Sequence, residues 1–380
     1  MSIQSRLPDV GTSIFTVMSK MANEHKAINL SQGFPDFQVA PNLIELVHRK
    51  MLEGHNQYAP MPGVGPLNSI ISSVIFNTYD RKVDAETEVT ITAGGTEAIF
   101  AAISGLISTG DEVIVFDPSY DCYDPAIRLN GGKPIHINLL PPAFKIDWDE
   151  VARKISFRTK MIMINTPHNP SSVVLTKNDL ESLQHLAEKH DLIVLSDEVY
   201  ERIIFDNAIH ESVLRYPPLA SRSIAVFSFG KTFHATGWKV GYVVAPRELS
   251  TEIRKAHQFI TFSVNTPVQL AFAEYMAEPE HYLSLANFYQ QKRDFFLSQI
   301  KGSSLRPLAC QGSYFQLLSF DGVSKKSEIE MAEWMTKTRG LASIPVSVFY
   351  QDKTDSKVLR FCFAKGEDTL EAAGQILRKL

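Results

Sequence analysis

Four apolar runs in the middle of the chain are each followed by small or polar residues that could do chemistry. These segments are residues 93–97, 165–170, 196–200 and 228–231. Together they offer glycines, an amide, a carboxylate, a phenol and a primary amine. Ligands of open parallel sheets bind beyond the carboxyl ends of the strands. If the apolar runs are neighbouring strands of such a sheet, the four segments therefore form one site.

Lys231 and Asp197 are the candidate reactive pair. A lysine taken alone is usually a solvated surface residue. If Lys231 is partly desolvated and lies near the positively charged ring of a bound cofactor, its pKa is lowered and it becomes a nucleophile and a base. Asp197 directly follows an apolar run, where its burial is costly without a cationic partner. It could instead cap the next helix. The protonated pyridine nitrogen of pyridoxal 5′-phosphate (PLP) satisfies the carboxylate equally, and the ring then accepts electrons from a substrate.

Other residues of these segments could contact the same cofactor. Tyr200 shares a face with Asp197 if a helical turn begins there, although a tyrosine is more often a core aromatic residue. Gly94-Gly95-Thr96 could offer backbone N–H groups and a positive helix end to a phosphate. Taken alone, this tripeptide more simply indicates a tight turn. Ser228 and Lys239, on either side of the candidate lysine, could both reach one phosphate.

Arg360 is the candidate group for binding an anionic substrate. It lies within the apolar run 358–363, where a buried guanidinium needs an anionic partner. Its fork of donors suits a carboxylate better than a lysine does. A salt bridge within the chain explains the same pattern, and both interpretations carry similar weight at this point.

Composition narrows the class of partner. The 380 residues are 44% hydrophobic and 21% charged, with a formal net charge of −4, which argues against a nucleic-acid or anionic-membrane partner. The three cysteines are widely separated, so neither a disulfide framework nor a metal-binding pair is expected. The N-terminal residues do not resemble a secretion signal, and no uncharged apolar run is long enough to span a bilayer. We therefore expect a cytoplasmic protein.

The elements that must position these residues alternate between short apolar runs and amphipathic stretches, which is typical of βαβ units. This pattern predicts an α/β fold with a mostly parallel central sheet flanked by helices. Beyond about residue 280 the pattern changes to that of a smaller α+β domain. The predicted strands are 89–92, 113–116, 161–164, 192–195, 224–227, 314–318 and 358–363, and the predicted helices are 179–190, 280–300, 328–338 and one from Thr369.

Residues 228–242, Ser-Phe-Gly-Lys-Thr-Phe-His-Ala-Thr-Gly-Trp-Lys-Val-Gly-Tyr, resemble the PLP-lysine motif of the fold-type I, class I and II aminotransferases. Further matching segments are residues 29–37, 57–60, 165–170, 344–349 and 360–365. Together they are most similar to the methionine aminotransferase branch, beside the kynurenine and glutamine aminotransferases. The division expected for such a chain is an N-terminal arm over 1–16, a large PLP-binding domain over 44–280, and a small domain over 17–43 and 281–380.

The resemblance implies a role for each matching residue in holding PLP. Lys231 would form the Schiff base and carry the proton between the substrate α-carbon and the cofactor. Asp197 would pair with the pyridine nitrogen, and Asn169 and Tyr200 would bond the phenolic oxygen. The other implied contacts are Gly95, Thr96, Ser228 and Lys239 with the phosphate, Tyr58 with the phosphate from the neighbouring subunit of a homodimer, and Tyr120 stacked on the ring.

The resemblance also implies how the substrate is held. Arg360 would bind the α-carboxylate in a two-pronged pair, assisted by Asn169 and the backbone of Gly33. Phe15 and Phe349 would form apolar walls for the substrate side chain.

Three positions depart from the usual pattern of the family. Ser172 stands where an Asn-Pro-x-Gly turn has glycine, Lys239 stands where many relatives have arginine, and Asn68 stands where relatives often have arginine. These departures concern the geometry of cofactor binding and leave the reactive pair intact.

The predicted function is ping-pong transamination between an amino acid and a 2-oxo acid. The aromatic walls and the lack of an obvious second cation predict methionine as donor, followed by aromatic amino acids and glutamine. Alternatives are β-elimination from cysteine S-conjugates and a preference for kynurenine. A regulator with an aminotransferase-like domain would need a DNA-binding region or a basic patch, and a nicotinamide-dependent dehydrogenase would need a dinucleotide loop. The sequence has neither.

Overall fold

The computed structural model describes residues 3–380. The elements of the first part of the chain are α1 (Ile14–Glu24), β1 (Ile28–Asn29), α2 (Pro41–Leu52), α3 (Gly65–Tyr79), β2 (Val89–Thr92), α4 (Gly95–Leu106), β3 (Glu112–Asp117), α5 (Tyr123–Leu129), β4 (Lys133–Asn138), α6 (Trp148–Lys154), β5 (Thr159–Asn165), α7 (Lys177–Lys189), β6 (Ile193–Asp197), α8 (Pro217–Ala220), β7 (Ser223–Ser228), α9 (Phe229–Thr232) and β8 (Gly241–Val244).

The remaining elements are α10 (Arg247–Ile260), α11 (Thr266–Tyr275), α12 (Glu280–Leu283), α13 (Leu285–Gln299), β9 (Arg306–Pro307), β10 (Phe315–Ser319), α14 (Glu328–Trp334), β11 (Leu341–Ala342), β12 (Ile344–Pro345), β13 (Val358–Cys362) and α15 (Glu367–Leu377). Val213–Arg215, Thr236–Trp238 and Val346–Phe349 are 3₁₀ helices, and Met335–Arg339 is a π-helix. None of the helices between residues 3 and 380 combines the length and the apolar character needed to cross a membrane.

Seven strands form the central sheet in the order β2-β8-β7-β6-β5-β3-β4. The strands β7, β6, β5, β3 and β4 run parallel to one another, whereas β8 is antiparallel to both of its neighbours. Alternate residues of β3 belong to two different apolar clusters, Val113 and Val115 to one and Ile114 and Phe116 to the other. Both faces of the sheet are therefore packed, and the predicted α/β fold with a mostly parallel sheet is confirmed.

The order and register of the strands bring the four polar segments to one edge of the sheet. Asn165 pairs with Asp197 across β5 and β6, and Ser228 pairs with Gly241 across β7 and β8. Gly241 also pairs with Thr92 at the end of β2. Since β8 runs in the opposite direction, its first residue lies beside the last residues of its neighbours. The segments meet as the sequence predicted.

A smaller set of strands comprises the antiparallel sheet β12-β13-β10-β9 and the parallel pair β1-β11. Their apolar side chains share one cluster with residues of α1, α13, α14 and α15. Strand β13 carries Arg360, and Tyr314 immediately precedes β10. The boundaries of the arm and the two domains stay a prediction, and residues 1 and 2 of the predicted arm lie outside the described residues.

The local structure differs from the prediction in two helices. The helix predicted over 280–300 is interrupted between α12 and α13 at Ser284, whose hydroxyl donates to the carbonyl of Glu280 at 2.7 Å. Such back-bonding by serine perturbs the regular helix. The helix predicted over 328–338 ends at Trp334 and continues as the π-helix.

Candidate active site

A cavity of about 300 Å³ opens at the edge of the central sheet where the four polar segments meet. It lies between this edge, the segment that follows β1, and strands β10 and β13. The predicted site residues that line it are Phe15, Gly33, Gly95, Thr96, Tyr120, Asn169, Asp197, Tyr200, Ser228, Lys231, Lys239 and Arg360. Most of the predicted site is thus brought together by the fold of one chain.

Lys231 lies in the single turn α9 that directly follows β7. Its Nζ donates to Tyr314 Oη at 3.0 Å and lies 3.5 Å from the carbonyl oxygen of Gly33. Burial lowers the pKa of this amine from its ordinary value to about 8, because a buried ammonium loses hydration. At pH 7 about one tenth of the side chain is therefore the nucleophilic free amine, a far larger share than at the ordinary lysine pKa.

Asp197 is the last residue of β6 and is 5% exposed. Its carboxylate accepts hydrogen bonds from Tyr123 Oη at 2.5 Å and from the backbone N–H of Val199 at 3.3 Å, and no basic side chain among residues 3–380 forms a salt bridge with it. Burial raises the pKa of this carboxyl to about 6, against the smaller lowering effect of Tyr123. The helix-capping alternative is wrong, because turns and not a helix follow β6.

Tyr200 lines the cavity although the helical turn expected beneath it is absent. The segment after Asp197 forms turns, and these still place Tyr200 edge-on to Tyr314, with ring centroids 5.1 Å apart. Lys231 Nζ lies 5.5 Å from the centre of the Tyr200 ring. The Tyr200 ring therefore lies close to the Lys231 amine because of tertiary packing and not because of helical spacing.

The start of α4 forms one end of the cavity. Gly94 has φ of +81°, and a Cβ placed on it would lie 3.5 Å from Lys239 Nζ. The ammonium group is therefore adjacent to the N-terminus of α4, where Gly95 and Thr96 contribute unpaired helical N–H groups. Thr96 Oγ1 also lies 3.5 Å from Tyr120 Oη. A cation beside a helix N-terminus is well suited to a phosphate.

Arg360 lies in the middle of β13 and is 1% exposed. Its Nη1 donates to Asn169 Oδ1 at 2.8 Å and its Nη2 donates to the carbonyl of Ser31 at 3.1 Å. Its Nε has no hydrogen-bond partner in the part of the chain that the structure describes, and no carboxylate there forms a salt bridge with it. The alternative of a salt bridge within the chain is therefore wrong, and a buried guanidinium faces the cavity with neutral partners alone.

Two predicted residues do not line the cavity. Phe349 lies behind Phe15, with ring centroids 5.9 Å apart, and both rings flank the Arg360 guanidinium at 5.2 to 5.5 Å. Tyr58 is 83% exposed and packs edge-on against Phe262 at 5.3 Å. A contribution of Tyr58 to a site of this kind therefore needs a second copy of the chain.

Several residues of the site were not predicted from the sequence. Tyr123 bonds Asp197, Tyr314 bonds Lys231, and Asn165 Nδ2 donates to the backbone carbonyl of Asp197 at 2.8 Å. Phe315 lies 4.0 Å from the centre of the Arg360 guanidinium. The sequence offered a signal only for Tyr123 and Asn165, which lie beside or within segments that were already assigned to the site. Tyr314 and Phe315 come from the region of the small sheet, which is distant in sequence from those segments.

The unusual Ser172 is accommodated locally. It has φ of +62°, the left-handed region that favours glycine. Its hydroxyl lies 2.9 Å from that of Ser313 and donates to the carbonyl of Phe315 at 2.7 Å. The serine side chain therefore links the loop that bears Asn169 to the strand that lines the cavity.

The donor set fits PLP. Lys231 supplies an amine for the aldehyde, and the α4 terminus with Lys239 suits the phosphate. Asp197 is a buried carboxylate that forms no salt bridge with any residue from 3 to 380. Each of these groups has incomplete or neutral partners within the chain, which a cationic ring and a phosphate would complete.

Comparison with known proteins shows to which family the chain belongs. The family model described as aminotransferase class I and II matches residues 25–376. Methionine aminotransferase of Escherichia coli (strain K12) is 51% identical over 378 residues, which cover 99% of this chain and 98% of that protein. Kynurenine–oxoglutarate transaminase 1 of Homo sapiens is 32% identical, with 98% and 97% covered.

A solved structure extends the likeness to the fold. YbdL from Escherichia coli, identified as having a methionine aminotransferase function, superposes with a TM-score of 0.98 at 50% identity, and each chain is covered completely. The buried amine of Lys231, the buried carboxylate of Asp197 and the N-terminus of α4 beside Lys239 thus occur on a fold-type I scaffold. The chain belongs to the class I and II aminotransferases and is a PLP-dependent enzyme.

Proposed function

We propose that the enzyme transfers the α-amino group of methionine, and also of aromatic amino acids and glutamine, to a 2-oxo acid. The observation that carries this proposal is that the Lys231 amine and the Arg360 guanidinium open onto one cavity that is also lined by the aromatic rings of Phe15, Phe34, Tyr120, Tyr200 and Phe315. The names of the Escherichia coli and human relatives support methionine and kynurenine as donors of those proteins.

When bound, PLP supplies an electron sink for the pair of electrons left on the α-carbon. Asp197 would pair with the protonated ring nitrogen, and Tyr123 orients that carboxylate. Lys231 would be the covalent anchor of the cofactor, and its amine, when free, would be the base that carries the α-proton of the substrate. Asn169 and Tyr200 would bond the phenolic oxygen of the ring.

Further residues would contact the ring and the phosphate of the cofactor and so set its orientation in the cavity. Tyr120 would stack on the ring. The phosphate would be bound by Gly95, Thr96, Ser228 and Lys239, and from the second subunit by Tyr58.

Arg360 binds the α-carboxylate of the substrate, because that carboxylate provides the anion which the guanidinium lacks in the free chain. Asn169 holds the other side of the guanidinium, and the backbone N–H of Gly33 assists. The α-carbon is then held between a fixed carboxylate and a fixed amine, which is the orientation that proton transfer requires.

The walls determine which side chain fits. Phe15, Phe34 and Phe315 line the cavity, and Phe349 supports Phe15 from behind. Among the described residues that line the cavity, the cations are Lys231, Lys239 and Arg360, and each already has a partner in the proposed complex. No cation is left for a distal carboxylate, whereas the thioether of methionine makes favourable contacts with aromatic rings.

An assay of the twenty amino acids with one shared 2-oxo acid tests this proposal. We expect methionine to give the highest kcat/KM, followed by the aromatic amino acids and glutamine. Aspartate or glutamate as the best donor would contradict the assignment of the pocket. Release of pyruvate and ammonia from a cysteine S-conjugate without any oxo acid would instead support the lyase alternative, and kynurenine ahead of methionine would revise the order of donors.

We infer that two copies of the chain assemble into a homodimer. Tyr58, Phe259 and Phe262 are large exposed side chains, and such aromatic groups are enriched at protein interfaces. We also propose that the enzyme works in the cytoplasm, since Cys122, Cys310 and Cys362 are all free thiols.

A further inference from the structure

Tyr314 is a buried residue of the small sheet that connects three parts of the site. Its Oη accepts a hydrogen bond from Lys231 Nζ at 3.0 Å and donates one to the carbonyl of Gly33 at 2.7 Å. The ring also lies edge-on to Tyr200. One hydroxyl thus links α9, the segment after β1 and the residue that immediately precedes β10.

The direction of these bonds limits what Tyr314 can do. A tyrosine hydroxyl has one proton, and here that proton is directed to the Gly33 carbonyl. Burial holds the pKa of Tyr314 well above its usual range, so the hydroxyl stays protonated. Towards Lys231 it can therefore only accept a hydrogen bond. An amine that is held through one of its N–H groups keeps its lone pair, whereas an amine that accepted a proton from a tyrosine would not.

We propose that Tyr314 is a positioning residue that holds the amine of Lys231 through one N–H whenever the substrate has displaced that amine from the cofactor. This inference rests on the proposed role of Lys231. The lone pair of Nζ is then free to point at the α-carbon. When the α C–H bond breaks, its proton forms a new N–H bond on Nζ, and its electron pair stays on the α-carbon in conjugation with the bound ring. The same N–H then delivers the proton to the cofactor.

A purely structural role for Tyr314 makes a different prediction. If the hydroxyl only held the Gly33 segment, its removal would displace the Gly33 backbone beside Arg360 and weaken binding of the carboxylate. The KM for amino acids would rise, and the pKa of Lys231 would stay the same. The two roles are therefore separable by measurement.

The test compares Tyr314→Phe with Tyr289→Phe. Tyr289 is a matched control, because it is also completely buried, its ring centroid lies 5.6 Å from that of Tyr314, and its hydroxyl has no hydrogen-bond partner among residues 3–380. The first readout is the pKa of Lys231 in the apoprotein, measured by competitive labelling with trace acetic anhydride across pH and mass spectrometry of the Lys231 peptide. The second is the single-turnover rate with methionine and with α-deuterated methionine.

We expect Tyr314→Phe to lower the Lys231 pKa by about one unit further, because the ammonium loses a charge-assisted acceptor. We expect it to slow the single turnover by about tenfold to a hundredfold and to enlarge the deuterium isotope effect, with KM little changed. Tyr289→Phe should behave like the wild-type enzyme in both assays.

An unchanged Lys231 pKa and isotope effect in Tyr314→Phe, or equal changes in both variants, would overturn the proposal. Borohydride reduction of the holoenzyme separates this failure from failure of the proposed function. A PLP adduct on Lys231 in all variants would leave the assignment of the lysine standing, whereas its absence from the wild-type enzyme would remove that assignment.

Discussion

Asp197 and Arg360 are buried charged residues whose partners within the chain are hydroxyl, amide and carbonyl dipoles. Burial raises the pKa of Asp197 and lowers that of Arg360, because each charged form has lost hydration without gaining an ion partner. In the proposed complex the protonated ring pairs with the carboxylate, and the substrate carboxylate pairs with the guanidinium. The site thus destabilises the free protein in a way that its ligands relieve.

The apoprotein of Asp197→Asn should be more stable than the wild-type apoprotein near neutral pH. Burial raises the pKa of this carboxyl from its ordinary 3.8 to about 6, so it contributes stability below pH 3.8 that is lost as pH rises through 6. The loss is about 3 kcal/mol, and the amide avoids it. Urea unfolding near neutral pH should show this gain, and unfolding below pH 4 should show little difference.

The same variant should bind PLP more weakly, since an amide cannot pair with a protonated ring nitrogen. Titration of the apoprotein with PLP measures this loss. The control is Asp321→Asn at an exposed position, which should change neither the stability of the apoprotein nor its affinity for PLP. An Asp197→Asn apoprotein that is less stable than wild type near neutral pH would show that the buried carboxylate does not destabilise the folded apoprotein.

At the scale of elements, α4 is fixed at the sheet edge by its own first-turn carboxylate. Glu97 Oε2 accepts the backbone N–H of Ala93 at 2.9 Å, and Glu97 Oε1 lies 2.8 Å from Nδ1 of the buried His257 on α10. The turn that presents Gly95 and Thr96 is therefore held from within α4 and from α10. Neither Glu97 nor His257 lines the cavity.

Glu97→Ala should weaken PLP binding by about tenfold, because it leaves the Ala93 N–H unpaired and loosens the turn that is proposed to bind the phosphate. The affinity for pyridoxal, which lacks the phosphate, should change much less. Both affinities are measured by absorbance titration of the apoprotein. Glu252→Ala on the surface of α10, where Glu252 pairs with Lys255, should change neither. Equal losses of affinity for PLP and for pyridoxal would contradict this prediction, because the substitution would then act on a part of the site that does not contact the phosphate.

The strands and their polar ends were predictable because each depends on residues adjacent in sequence. A continuous apolar run such as 161–164 indicates a strand packed on both faces, and the residue that follows it must lie at the sheet edge. The contacts of Tyr314 and Phe315 depend on how the small sheet meets the large one, over more than eighty residues of chain. No local pattern encodes that approach. The partner of Arg360 was undecided from sequence for the same reason.

At the scale of the whole molecule, the site within one chain lacks one predicted contact. Lys231, Asp197 and Arg360 meet in a single cavity, whereas Tyr58 lies outside it on an exposed aromatic surface with Phe262. If the enzyme is a two-fold dimer, each site takes its lysine from one subunit and its tyrosine from the other. Single inactive variants should then complement each other in a definite pattern.

Mixed dimers of Lys231→Ala and Tyr58→Ala should regain activity. In a hybrid, one site receives both defects and the other receives none. Random exchange of equal amounts makes about half of the dimers hybrids, and each hybrid has one intact site of two. The mixture should therefore regain about one quarter of wild-type activity. The measurement is methionine-dependent turnover after subunit exchange in mild urea and refolding with PLP. Mixing Lys231→Ala with Asp197→Ala is the control, because both residues belong to the same chain's site and every hybrid site keeps one defect. Recovery in the control, or no recovery above the sum of the parents in the first mixture, would contradict a site shared through Tyr58.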